Sequence, residues 1–238
     1  MKKFSNRIKI SLITDTLLVV IFALVFAVSF FPSKIVPIYS PVGLAPIYSG
    51  NPQNTAVSLM FNVYENTEVV EKIIDKLDDK GIKATFFVGG CWADDNEKTL
   101  KKIVSSGHEI ASHGYFHKDH KKLTYNKNVE EIKNSVTIIE SLSGAKINLF
   151  APPSGSFSQD TLDSCEYLGY KLIMWSKDTI DWRESDIDLI VKRATDNVSA
   201  GDLILMHPKE HTLSALDEII DKITLKGLKF LTVSENVA

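Results

Sequence analysis

Four polar clusters in this sequence could do chemistry. Residues 112–117 read SHGYFH and set His113 and His117 four apart, with His120 three further on. Two imidazoles at that spacing face one metal ion if the loop turns helically. The same spacing also suits solvated or core histidines. Residues 174–182 (MWSKDTIDW) place Asp178 and Asp181 beside Trp182. An aspartate there can orient a histidine, or it can serve as a helix cap or turn residue. Residues 203–208 (LILMHP) bring His207 to the end of an apolar run, a position equally open to a structural histidine. Residues 151–155 (APPSG) form a rigid turn whose backbone N–H groups can face a ligand.

The elements that must position these residues alternate. Short apolar runs at 56–61, 83–90, 108–112, 147–152, 170–176, 202–207 and 228–233 read as strands. Between them lie helical patterns. Val69, Val70, Ile73, Ile74 and Leu77 share one face of 67–81, which Gly81 stops. Leu100, Ile103 and Val104 mark a second helix, and Ile132, Val136 and Ile139 a third over 128–142. Further helices start at 158–160 and run through Ile187–Ala194 and Leu216–Ile223. Alternating βα units with apolar strands predict a parallel sheet covered by helices, either a barrel or an open doubly wound sheet. Asn62, His113, Pro152-Pro153, Asp178 and His207 each follow the C-terminal end of a different strand. A barrel gathers those loops on one face, where such folds keep their active sites.

Composition narrows the function classes. The 238 residues carry 27 Lys+Arg against 30 Asp+Glu, a net charge of −3, which argues against an electrostatic nucleic-acid binder. No G-x-G-x-x-G follows the first strand and no Walker A motif occurs, so nucleotide binding lacks its usual signature. Cys91 and Cys165 form no CxxC, which excludes a zinc ribbon or redox motif. One disulfide can join them, but two free thiols are expected.

The N-terminus is segregated. Residues 1–9 carry Lys2, Lys3, Arg7 and Lys9 without an acid, and residues 10–31 are almost wholly apolar. Twenty-two residues at ~1.5 Å each span a hydrocarbon core of ~30 Å. The expectation is a single-pass transmembrane signal-anchor with a cytoplasmic tail and an extracytoplasmic C-terminal domain. The alternative is a cleaved signal peptide and a secreted domain. Residues 32–54, with five of the eight prolines, read as an extended linker, and the domain is expected over 55–236.

Taken together, GIKATFFVGG (81–90), GHEIASHGYFH (107–117), APPSG, MWSKDTIDW and LILMHP stand in the order and spacing of a known family. The domain resembles the polysaccharide deacetylases, the NodB-homology domains of carbohydrate esterase family 4. The resemblance implies a distorted (β/α)7-type barrel. It also implies a metal-dependent reaction, usually with zinc, that removes acetyl groups from polymers such as peptidoglycan or chitin.

The departures matter as much as the matches. The family's first strand ends in Thr-Phe-Asp-Asp-Gly. Aligned without a gap, Phe61 meets the Phe, Asn62 the first Asp and Val63 the second. In the family the first Asp is the general base and the second ligates the metal beside the two histidines. Asn offers no titratable acceptor, and Val cannot ligate. The family's third motif opens with an Arg that pairs with the base, and here Ala151 stands there. Losing both partners avoids the uncompensated buried charge that losing one would leave. FNV, APPSG and DTIDW together resemble a divergent branch from endospore-forming bacteria.

By the same resemblance, His113 and His117 match metal ligands, and His207 matches the general acid, oriented by Asp178 or Asp181. Trp182 would stack on a sugar, the Ser154 N–H would meet an oxyanion, and Pro153 and Leu205 would line the groove. The expected partner is an N-acetylated cell-wall glycan, peptidoglycan first, alongside the membrane and without nucleic acid. The expectation is a membrane-tethered protein that acts on or binds this glycan with weak or no ordinary hydrolysis, and with weak or absent zinc. Two alternatives stay open. One is an active metal-dependent deacetylase that recruits Glu65, Asp119 or His120 as ligand or base. The other is a non-catalytic scaffold on the same fold.

Overall fold

The computed structural model describes residues 16–22 and 44–238. The chain divides into two compact units, Met1–Val42 and Gly43–Ala238. In the first, residues 16–22 are helical. Among the described residues no helix is long and apolar enough to cross a membrane. The expected transmembrane helix is corrected on that finding, and with it the membrane tether, the membrane partner and the single-pass location. The rest of the 10–31 run, the basic tail 1–9 and linker residues 32–43 lie outside the described residues.

The second unit is an eight-stranded sheet wrapped in helices. Its axis is β1 (Ala56–Val63), in which all eight residues are buried. Burial on both faces is what a central parallel strand requires, and the run AVSLMFNV supplies it. β1 pairs in parallel with β2 (Thr85–Val88) on one side and with β7 (Leu203–Met206) on the other. β3 (Glu109–Ser112), β4 (Leu149–Phe150) and β5 (Lys171–Leu172) continue outward from β2. β6 (Lys177–Asp178) flanks β7, and β8 (Lys229–Phe230) pairs with the start of β1. The order is thus β5-β4-β3-β2-β1-β7-β6, parallel throughout its named pairs.

The sheet curls into a half-barrel and does not close as the expected (β/α)7 barrel. Its edge strands β5 and β6 do not pair with each other. Each has two residues, too few to carry a ladder across the gap. The entering chain partly spans it: Ile47 bridges Ile173 in parallel, and Ser49 bridges Asp202 antiparallel. Residues expected in the linker therefore take part in the compact unit.

Strand alternation divides the core into two layers. Val57, Leu59, Phe61 and Val63 join the layer beneath the helices, where Phe61 stacks on Phe86 with ring centroids 5.2 Å apart. Each such large side chain contributes about 2–3 kcal/mol by leaving water. Met60 faces the sheet interior with Phe87, Ala111, Ala151 and Leu205. Asn62 has the same parity. α1 (Thr67–Asp79) buries the five-residue apolar face read from its sequence. α2 (Gly90–Asp95) and α3 (Glu97–Ser105) follow β2. α4 (Tyr125–Ser143), α5 (Gln159–Leu168), α6 (Ile187–Thr195) and α7 (Glu210–Leu225) cover the remainder. A short α8 (Val233–Asn236) follows, starting at the last residue of the strand expected over 228–233. Both cysteines are free thiols.

Candidate active-site cleft

β3 delivers His113 directly after Ser112. The turn beyond it needs Gly114 at φ 77°, and the Gly114 N–H donates to Ser112 Oγ. His113 is buried, and its Nδ1 lies 2.9 Å from the Ala151 carbonyl oxygen. A carbonyl only accepts, so Nδ1 carries the proton and Nε2 keeps its lone pair. Burial, helped by the neighbouring His117, pushes the His113 imidazole down to about 3. The two rings meet edge to face at 5.1 Å. His117 sits in the left-handed region at φ 53°, and burial lowers its pKa too.

His120 does not join this pair. The left-handed turn at His117 breaks helical spacing, and His120 packs beneath the loop against Phe150. Its Nδ1 meets Asn128 Oδ1 at 2.7 Å, while its Nε2 has no partner.

His207 follows β7, held by a carboxylate behind it. Asp181 Oδ1 lies 2.7 Å from His207 Nδ1, and Asp181 Oδ2 accepts the His207 backbone N–H at 2.7 Å. Thr212, on α7, donates to the same Oδ2 at 2.6 Å, and His211 donates through Nε2 to the Asp181 carbonyl. Burial alone would raise the Asp181 carboxyl, but the bonds from His207 and Thr212 outweigh it and hold it below the usual range. Asp178 takes a different role: its Oδ1 accepts the Ile180 N–H at 2.8 Å. Ile180 stands at φ 56°, a strained conformation for a β-branched residue, and this turn sends Asp181 inward.

These groups frame one cleft in two lobes. The larger lobe, about 390 Å³, is walled by Ser154, Trp175, Asp178, Trp182 and Leu205. The smaller, about 260 Å³, is walled by Tyr64, Glu65 and Pro208. Asn62, His113, His117 and His207 line both. Trp182 is 53% exposed at the rim, with Arg183 over its ring at 5.3 Å. Pro153 is buried under the turn, and Ser154 projects from it at φ 56°. Gly155 is required there, because a Cβ would stand 2.7 Å from the Trp175 ring. Tyr64, Trp175, Pro208, His211 and Thr212 were not read from the sequence. Trp175 and Pro208 lie inside motifs in which Asp178, Asp181, Trp182 and His207 drew the reading, and Tyr64, His211 and Thr212 lie outside every motif singled out.

Asn62 and Val63 part company. Asn62 is 5% exposed and opens on both lobes. Among the described residues neither atom of its amide has a hydrogen-bond partner, and Oδ1 is shut off from solvent. Val63 is fully buried in the layer beneath the helices. β1 runs through Val63, in register with Val88, so strand parity turns this side chain away from the cleft. Ala151 is buried in the interior layer, and its carbonyl serves His113.

The residues present do not fit the family's metal. Two imidazoles converge, but Val63 faces the core and His120 lies outside the cleft. Glu65, in the smaller lobe, is ion-paired with Lys209. Among the described residues no group of three His, Cys, Asp or Glu could hold a metal ion.

The family model described as Polysaccharide deacetylase matches residues 49–173. The uncharacterized protein YlxY of Bacillus subtilis is 38% identical over 190 residues, covering 80% of this chain and 60% of that protein. The chain thus spans less than two thirds of YlxY. A peptidoglycan-N-acetylglucosamine deacetylase of Bacillus cereus is 31% identical over 191 residues, covering 78% of this chain and 70% of that one. Among solved structures, wild-type BA3943, a CE4 family pseudoenzyme from Bacillus anthracis, superposes with a TM-score of 0.80 at 33% identity. It covers 83% of this chain and 70% of that chain. A mutant of BA3943 with restored enzymatic activity gives the same TM-score at 31% identity, covering 83% and 72%.

Proposed function

Because the chain belongs to the polysaccharide deacetylase family, we propose that its cleft binds an N-acetylated glycan, peptidoglycan first, and does not hydrolyse it. This keeps the glycan-binding part of the expectation and drops the membrane tether, since no described helix is long and apolar enough to cross a membrane. The observation that carries it is Asn62, an amide without a partner at the place of the family's base. An amide cannot take a proton from water at neutral pH. Ala151 leaves no guanidinium to tune a base, and the residues around His113 and His117 do not complete a metal site.

What remains is binding machinery. Trp182 offers an exposed face to a sugar ring. Neutral His113 and His117 offer acceptors to sugar hydroxyls, and Asp181 fixes His207 so that its Nε2 faces the cleft. The B. cereus relative's peptidoglycan substrate and the pseudoenzyme status of BA3943 both support the reading.

One observation favours a second reading. Glu65 shares the smaller lobe with His113, His117 and His207, so a recruited carboxylate could support residual acetyl hydrolysis. Calorimetric titration with N-acetylated glycan fragments, with acetate assayed in the same sample, separates the two. Binding without acetate supports the first reading. Acetate release lost in Glu65→Gln would establish the second.

A further inference from the structure

Asn62 places a primary amide, 5% exposed and without a protein partner, at the junction of the two lobes. A buried amide with unmet hydrogen bonds costs free energy until something meets them. A primary amide presents one kind of donor and one acceptor, and the terminal torsion of Asn is soft enough to turn either atom to the cleft. An acetamido group matches it, with one C=O to accept and one N–H to donate. A protonated amino sugar, the deacetylated counterpart, has donors only and a charge to neutralise.

The charges around Asn62 offer that cation little. The carboxylates lining the lobes are Glu65 and Asp178. Glu65 is paired with Lys209, and Asp178 is engaged by the Ile180 N–H. Asp181, behind His207, is buried and already holds three donors. Where the family has an ionised base, position 62 holds an uncharged amide.

We infer that Asn62 makes the cleft a reader of acetylation state, which holds the acetamido sugar and rejects the deacetylated amino sugar of the same polymer. This rests on the glycan-binding reading above. An ionised carboxylate at position 62 would attract an ammonium. The amide keeps the hydrogen-bonding capacity and removes the attraction. Asn62 is thus a specificity-determining residue.

The test titrates the full chain with chitotetraose and with its fully deacetylated counterpart in mildly acidic buffer. Acetylated tetramer should bind roughly tenfold tighter, the value of one or two net hydrogen bonds. Asn62→Leu should lose about that factor for the acetylated ligand alone, and Asn62→Asp should shift preference toward the amino sugar. A ligand-side control needs no variant to fold: a sugar with a 2-O-acetyl ester keeps the C=O but lacks the N–H, and should bind wild type several-fold more weakly. Equal binding of acetylated and deacetylated tetramers, both weakened by Trp182→Ala, would overturn the inference and leave the glycan-binding reading standing. Binding of neither would overturn that reading itself.

Discussion

Asp181 grips His207 with both carboxylate oxygens, one on the imidazole Nδ1 and one on the backbone N–H, each at 2.7 Å. Asp181→Ala strands His207, Thr212 and a buried loop turn together. It should destabilise the domain by about 3 kcal/mol, the scale for breaking a buried charged network. Asp181→Asn, which keeps the shape, should cost less. The Asp181 carboxyl titrates below its unfolded value near 4, so its contribution is full above that pH and is lost as pH falls through the folded value. Urea midpoints for wild type and Asp181→Ala, compared at neutral pH and at about pH 3, should converge on acidification. A constant gap would contradict the assigned network.

A second acid sensitivity lies away from the cleft. His108 is buried beneath α1 and accepts the Ala84 N–H through Nδ1. Burial pushes its imidazole down to about 4, against a smaller upward pull from Asp78. The unfolded chain therefore takes up this proton first, and stability should fall as pH drops from about 6.5 toward 4, by up to about 2 kcal/mol. His108→Gln should flatten that part of the profile. An unchanged slope would show that His108 does not carry it.

Much of this was legible in the sequence, and the misses have particular causes. β1, β2 and β7 are long apolar runs, and α1 shows its buried face at helical spacing. β5 and β8 fall inside the apolar runs read as strands at 170–176 and 228–233, but only two residues of each run form a ladder, and β6, Lys177–Asp178, is charged and carries no strand signature. The half-barrel's open seam follows from those short edges and cannot be counted from alternation. Asp178 and Asp181 are equivalent by spacing. Ile180 at positive φ decides between them, and no local residue type announces that turn. His120 looked like a third imidazole on the His113 face, until His117 left the helical region. Val63 was placed at the missing ligand by alignment, which carries no information about which way a strand residue points.

Val63 yields a prediction of its own. A carboxylate there enters the layer of Val69, Val70 and Trp92, not the cleft. Val63→Asp should lower stability by about 2–4 kcal/mol without creating a metal site. A variant with wild-type melting behaviour that gains zinc would show that the end of β1 turns toward the histidines.

Zinc content is the next check. With two converging imidazoles and, among the described residues, no group of three ligands, the purified chain should retain well below one equivalent after dialysis. His113→Ala should leave the small residue of zinc unchanged. One equivalent per chain, lost in His113→Ala, would mean that a ligand outside the described residues or a rearranged Glu65 completes the site.

The most direct measurement follows bound glycan and free acetate together. Wild-type chain is mixed with acetylated peptidoglycan fragments and added zinc, and both quantities are recorded over time. Binding should be saturable and weakened about three- to tenfold by Trp182→Ala, with acetate appearing no faster than in a protein-free control. Steady acetate release by wild type, abolished in His207→Ala, would contradict the non-hydrolytic reading.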